Sequence, residues 1–265
     1  MPGVGSCRIG RVTTILAVAN QKGGVAKTTT VASVGAALAE LDQKVLLVDL
    51  DPQACLTFSL GIDPEDLELS VHHVLTKGVS TAEVVIATDD GVDLLPATIE
   101  LARAEADLLT RTGREHVLKM ALEDLPDDAY DWVLLDCPPS LGVLTVAALT
   151  AADGVLIPLQ CETLSHRGVG QLLDTVHDVR RFTNRRLEVW GVLPTLYDGR
   201  TNHARTVLET ISETYDLDVL EPPIPKSIRF AEAPAAGRSI LATTRNHKGA
   251  AAYRDVAANL LKRGR

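Results

Sequence analysis

Aromatic residues are scarce: two Trp, four Tyr and three Phe in 265 residues, 3% of the chain. A core of ordinary size must therefore be aliphatic, as it is where parallel strands are covered on both faces. Cysteine is sparse too. Cys7, Cys55, Cys137 and Cys161 stand far apart without C-x-x-C spacing, which argues against a zinc or redox pair and for buried free thiols. His72, His73, His166, His177, His203 and His247 show no metal-binding spacing and read as surface or packing residues. No apolar run reaches 18 residues and no leader pattern opens the chain, so the expectation is a soluble, cytosolic protein. What is plentiful is apolar content, at 46%, which excludes a disordered chain and suits one α/β domain of this length.

Charge is unevenly spread. The net charge is −9, yet from His177 to the end 15 Lys and Arg face 10 Asp and Glu, a net of +5. The first 176 residues carry −14. A basic C-terminal third on an acidic protein suggests a local patch for a polyanion.

The chemistry concentrates in Asn20-Gln21-Lys22-Gly23-Gly24-Val25-Ala26-Lys27-Thr28-Thr29-Thr30. An apolar run precedes this stretch and helix formers follow it. Strand, Gly-rich turn and helix in that order make a phosphate-binding loop, in which backbone N–H groups converge on an anion at a helix N-terminus. Lys27 can reach the β- and γ-phosphates, and the Thr28 hydroxyl is placed for Mg²⁺. The ordinary pattern G-x-x-x-x-G-K-[ST] fails, because Gln21 and Ala26 stand where its two glycines belong.

The loop instead resembles the variant K-G-G-x-G-K-[ST]-T of the ParA/MinD ATPases, most closely the ParA (Soj) branch. Ala26 departs from that family's glycine. Three further stretches are similar to boxes of the family: Asp49-Leu50-Asp51-Pro52-Gln53, Asp136-Cys137-Pro138-Pro139, and 221–234, which ends in Glu232-Ala233-Pro234. The resemblance runs from Ile15 to Leu261. It implies a nucleotide site of Lys22, Gly23, Gly24, Val25, Ala26, Lys27, Thr28 and Thr29, with Lys22 reaching across a dimer interface to the partner's nucleotide. It also implies that Asp136 holds Mg²⁺ with Thr28, and that Asp51 positions the attacking water. Asp49 is the rival to Asp51, since residues two apart in a strand share a face and spacing alone does not choose. Asp136 has a second reading as a cap for the helix that follows it. Pro225, and Ser227 where the family often has Asn, would contact the base, although prolines also simply stiffen a turn.

Element patterning gives a three-layer α/β domain with a mostly parallel sheet, of the P-loop NTPase class, over 13–265, preceded by a loose arm over 1–12. Strands are expected over 13–19, 44–49, 92–96, 130–136, 154–160, 187–197 and 219–220. Helices are expected from the loop to about 41 and over 70–75, 81–84, 98–110, 114–122, 141–151, 165–181, 201–215 and 247–263, with a loop over 221–239. The resemblance further implies an ATP-dependent homodimer, Mg²⁺, slow hydrolysis raised by a ParB-like partner, nucleoid association and DNA binding without sequence preference. For DNA the candidates are Arg200, Arg205 and Arg229, with Arg245 and Lys248 behind them; the form is the short one, without a helix-turn-helix before the first strand. Three alternatives stand beside it: a membrane-cycling ATPase of the MinD branch, an iron protein of the nitrogenase type, and a nucleotide-gated interaction protein with little turnover. The stripe Tyr253, Val256, Ala257, Leu260 and Leu261 is too narrow for a membrane face and should dock on the protein's own core, so no membrane partner is expected.

Overall fold

A computed structural model describes residues 13–162, 165–200 and 202–264; the expected arm over 1–12, with Cys7, lies outside them. The chain begins with β1 (Thr14–Val18), α1 (Lys27–Ala39), β2 (Val45–Asp49), α2 (Cys55–Ser59), α3 (Val71–Lys77) and α4 (Thr81–Val84). It continues through β3 (Ile86–Ala87), β4 (Asp93–Leu95), α5 (Leu101–Leu109), α6 (Val117–Glu123), β5 (Trp132–Asp136) and α7 (Val143–Ala151). The rest is β6 (Gly154–Gln160), α8 (Ser165–Phe182), β7 (Glu188–Thr195), α9 (Asn202–Tyr215), α10 (Arg229–Glu232), α11 (Ile240–Thr243) and α12 (Lys248–Arg263).

The strands form one sheet in the order β3-β4-β2-β5-β1-β6-β7, parallel throughout except for the β3–β4 edge. This is the three-layer, mostly parallel architecture that the alternation of strands and helices implies. Every residue of β2 and of β5 is buried, as their unbroken apolar runs require. The period of two assigns their side chains to two cores. Ala17, Leu46, Val48, Val133 and Leu135 meet α3, α5, α6, α7 and α8 on one face. Leu16, Val18, Val45, Leu47 and Leu134 meet α1, α11 and α12 on the other. Helix α1 is small-residued because it runs close to the sheet: a Cβ on Gly35 would fall 2.6 Å from Leu47 Cδ2. Tyr253 on α12 closes its far side, its hydroxyl 3.0 Å from that of Thr30.

Some boundaries differ from expectation for identifiable reasons. The expected strand over 219–220 is a single bridge from Val219 to Val192, too short to form a ladder. The expected helix over 114–122 opens with a 3₁₀ turn, Arg114–His116, started by Gly113 in a left-handed conformation. The expected loop over 221–239 holds α10 and a 3₁₀ turn at Pro234–Ala236. Of the three described cysteines, only Cys137 is buried; Cys161 is half-buried and Cys55 is exposed. Cys55 opens α2 on the solvent side, where no core residue is needed. No described helix is long and apolar enough to cross a membrane.

Candidate functional site

The site lies where the sheet's connections diverge. From β1 the chain crosses by α1 to β2, beyond β5; from β5 it crosses by α7 to β6, on the other side of β1. Such a divergence leaves a crevice at the carboxyl ends of the strands, the usual ligand position in open α/β sheets. Register brings three strand ends level there, because Asp136 pairs with Val18 on one side and Asp49 on the other.

The loop between β1 and α1 is fixed from both flanks. Asn20 donates through Nδ2 to Pro158 O at 2.8 Å, and its Oδ1 accepts Lys22 N at 3.0 Å. Thr195 at the end of β7 donates its hydroxyl to Val25 O at 2.9 Å. Gly24 has φ 73° and Ala26 φ 63°, so two residues of the turn take the left-handed conformation that glycine adopts freely. Ala26 is the N-cap of α1 and gives it no side-chain cap, so the helix's first N–H groups stay available to an anion.

Two lysines bracket this turn differently. Lys27 is 7% exposed, and its Nζ donates to Lys22 O at 3.0 Å. Burial pulls the Lys27 ammonium below the ordinary lysine range, with Asp136 the strongest opposing influence. Lys22 lies outward, its side chain 40% exposed and ion-paired through Nζ with Glu162. A cavity of about 400 Å³ adjoins it, lined by Asn20, Lys22, Pro139, Ser165 and Gly168 among others.

Three carboxylates separate by environment. Asp136 is 1% exposed, and neither of its oxygens has a hydrogen-bond partner among the described residues. Burial, then the charge of Asp49, push its carboxyl well above the usual range; the Thr28 hydroxyl and Lys27 counter that rise. A buried carboxylate left unpartnered is costly unless a cation completes it. Asp136 and the Thr28 hydroxyl are hard oxygen donors that fit Mg²⁺ bound with a nucleotide's phosphates. Asp49 is committed to its own loop, its Oδ2 accepting Thr57 N at 2.9 Å and Thr57 Oγ1 at 2.7 Å, and its Oδ1 accepting Asp51 N at 3.1 Å. Burial raises its carboxyl too. Because β2 ends at Asp49, the strand alternation expected to align it with Asp51 does not extend that far. Asp51 stands half-exposed in the loop beyond, its Oδ1 accepting Gln53 N at 2.9 Å.

The segment carrying Pro225 and Ser227 is tied to the same edge. Tyr197 bridges to Pro225, and Lys226 N donates to Tyr197 O at 3.3 Å, just past the β7 residue that holds Val25. Ser227 Oγ accepts Arg229 N at 3.2 Å and lies 3.2 Å from His247 Nε2. A small cavity between this segment and the start of α1 is lined by Thr28, Thr29, Phe230, Ala233 and Pro234, among others.

Comparison with known proteins bears on what this crevice serves. Residues 13–189 match the family model described as an AAA domain. The sporulation initiation inhibitor protein Soj of Bacillus subtilis is 43% identical over 251 residues, which cover 94% of this chain and 99% of Soj. The chromosome partitioning protein ParA of Caulobacter vibrioides is 39% identical over 253 residues, 95% of each chain. The chain belongs to the ParA/Soj family of partitioning ATPases. Among solved structures, a Mycobacterium smegmatis protein described as cobyrinic acid a,c-diamide synthase, with bound ADP and magnesium, is 56% identical with a TM-score of 0.85, covering 95% of each chain.

As a ParA-type ATPase the chain holds residues that no motif revealed. Glu162 pairs with Lys22, and Glu105 extends from α5 until its Oε1 lies 3.1 Å from where a Gly142 Cβ would stand. Burial and the charge of Asp51 raise the Glu105 carboxyl. His247 caps α12 by accepting Gly249 N at Nδ1, 2.9 Å away. Asp, Asn, Ser or Thr at the cap position itself would have signalled that cap, and a histidine there does not. The basic candidates are less uniform than their charges imply. Arg200 makes two hydrogen bonds of 2.8 Å to Asp198, and Arg229 pairs with Glu232 at 2.7 Å. Arg205 is exposed on α9 and reaches Gly199 O at 3.4 Å. Arg245 lies 3.8 Å from Glu40, and Lys248 is exposed in the first turn of α12.

Proposed function

We propose that residues 13–265 act as one ATP-driven dimerisation switch, whose ATP state binds DNA without sequence preference and whose hydrolysis resets it during partitioning of a chromosome, plasmid or other cargo. The observation that carries this reading is Asp136, a buried carboxylate with neither oxygen hydrogen-bonded in the geometry of the described residues, standing beside the Thr28 hydroxyl and the Lys27 ammonium at the start of an uncapped helix. The backbone of 22–29 and the Lys27 ammonium cradle the β- and γ-phosphates. Mg²⁺, held by Thr28 and Asp136, would neutralise charge on those phosphates. Asp51, which accepts Gln53 N through Oδ1 where Asp49 has both oxygens engaged, orients a water for attack. Lys22 leaves Glu162 and enters the partner's site, so that hydrolysis requires two protomers. Pro225 and Ser227 lie against the base. An activating ParB-like partner raises a slow intrinsic rate, and binding to DNA keeps the protein at the nucleoid.

The Mycobacterium smegmatis relative supplies a second reading, because an ATP-dependent amidation would use the same phosphate loop to activate a carboxylate. The fate of the γ-phosphate separates the two. In the switch, phosphate release with Mg²⁺ depends on protein concentration and rises with duplex DNA of any sequence, with no acceptor added. Release that stays at background until a corrinoid carboxylate and an ammonia donor are both supplied would favour amidation instead.

A further inference from the structure

His247 is bonded at both ring nitrogens. Its Nδ1 accepts the Gly249 N–H at 2.9 Å, so Nδ1 carries no proton and, in the neutral ring, the hydrogen sits on Nε2. Nε2 lies 3.2 Å from Ser227 Oγ and therefore donates to it. A second donor reaches the same oxygen, Arg229 N at 3.2 Å. A serine hydroxyl has two acceptor positions and one hydrogen. Both acceptor positions of Ser227 are thus filled, and its hydrogen has no acceptor among the described residues. The ring is held in place as well: Phe230 meets it edge-on at 6.2 Å and meets Tyr253 at 5.8 Å, and Tyr253 bonds Thr30 on α1. Phe230 also lines the cavity shared with Thr28 and Thr29.

We propose that His247 is a positioning residue for base recognition, holding Ser227 as an obligate hydrogen-bond donor toward a ring nitrogen of the purine. This rests on the reading above that ATP occupies the phosphate loop with its base against Pro225 and Ser227. A hydroxyl whose lone pairs are engaged cannot accept from an exocyclic amino group, so the site selects for an acceptor on the base rather than for the amino group itself. The discrimination differs from that of an asparagine side chain, which can donate and accept at once.

The test is a double-mutant cycle on the full chain, reading equilibrium binding of ATP with Mg²⁺ and of its 1-deaza, 3-deaza and 7-deaza analogues. His247→Asn keeps a good helix cap for Gly249 N but is too short to reach Ser227. The expected result is an unchanged melting temperature and a two- to tenfold weaker ATP affinity, about the effect of one neutral hydrogen bond. Ser227→Ala should lose the same factor, and His247→Asn should add nothing in the Ser227→Ala background. One deaza analogue should bind the parent more weakly by that factor and be indifferent to both substitutions. Additive losses, or a parent that binds all three analogues as tightly as ATP, would overturn the proposal. A parent that binds no ATP at all would instead refute the nucleotide reading beneath it.

Discussion

At the scale of single residues, Ala26 and Lys22 carry the most specific expectations. An alanine at φ 63° costs roughly 1–2 kcal/mol relative to the right-handed conformation. That strain exists before any nucleotide arrives, so its relief should appear in stability first. Ala26→Gly removes it but returns ~0.4–1 kcal/mol through the freer unfolded chain. The net gain is expected between about 0 and 1.6 kcal/mol, a rise in melting temperature of up to about 6 °C, with ATP affinity equal or better. A lower melting temperature would mean that the loop accepts the methyl group without strain. The motif signalled that something was unusual at Ala26, because it broke a pattern; it could not say whether φ or space was the reason. Lys22 makes an exposed pair with Glu162, worth only ~0–1 kcal/mol. Lys22→Gln should therefore leave folding and ATP binding intact while removing hydrolysis that depends on dimerisation. Glu162→Gln should shift dimerisation to lower protein concentration, since the lysine no longer has to leave a partner. Sedimentation velocity with ATP reads both variants, and parent-like turnover in Lys22→Gln would remove the cross-subunit role. Neither the pairing of Lys22 nor the contrast between Asp49 and Asp51 was legible in sequence, because both depend on residues far along the chain or on where a strand stops.

At the scale of elements, the parallel core strands were legible because each is an unbroken apolar run ending at a turn or a carboxylate. The two-residue edge strand β3 was not, since Ile86 and Ala87 carry no periodicity and pair only because β4 lies beside them. The final helix shows how a stripe is read from context. Tyr253, Val256, Ala257 and Leu260 are buried against α1 and its neighbours and Leu261 is partly buried there, so the stripe docks on the protein's own core. Tyr253→Phe should cost about 0.5–1.5 kcal/mol, somewhat more if Thr30 finds no other partner. Denaturant unfolding measures that cost. Flotation with anionic vesicles should show no ATP-dependent recruitment of either protein, and recruitment would revive the membrane-cycling alternative.

For the whole molecule, the excess of positive charge in the C-terminal third is real in sequence but partly cancelled locally. Arg200 and Arg229 each face a carboxylate a few residues away, whereas Arg205 meets the Gly199 carbonyl and no carboxylate among the described residues. Sequence counts could not show this, because they do not say which charges touch. Reversal of Arg205 to Glu should then weaken DNA binding more than reversal of Arg200 or Arg229. In each case the loss should be similar across sequences, with a salt slope shallower by about 1. Equal affinity in all three variants would move the DNA surface elsewhere. The switch itself is tested most directly by retention of the parent protein on duplex DNA with ATP, with ADP and with no nucleotide, each with Mg²⁺ at constant salt. The expected result is strong retention with ATP alone, lost when Lys27→Ala removes the phosphate clamp. Retention that is the same in all three nucleotide states would contradict a nucleotide-driven switch.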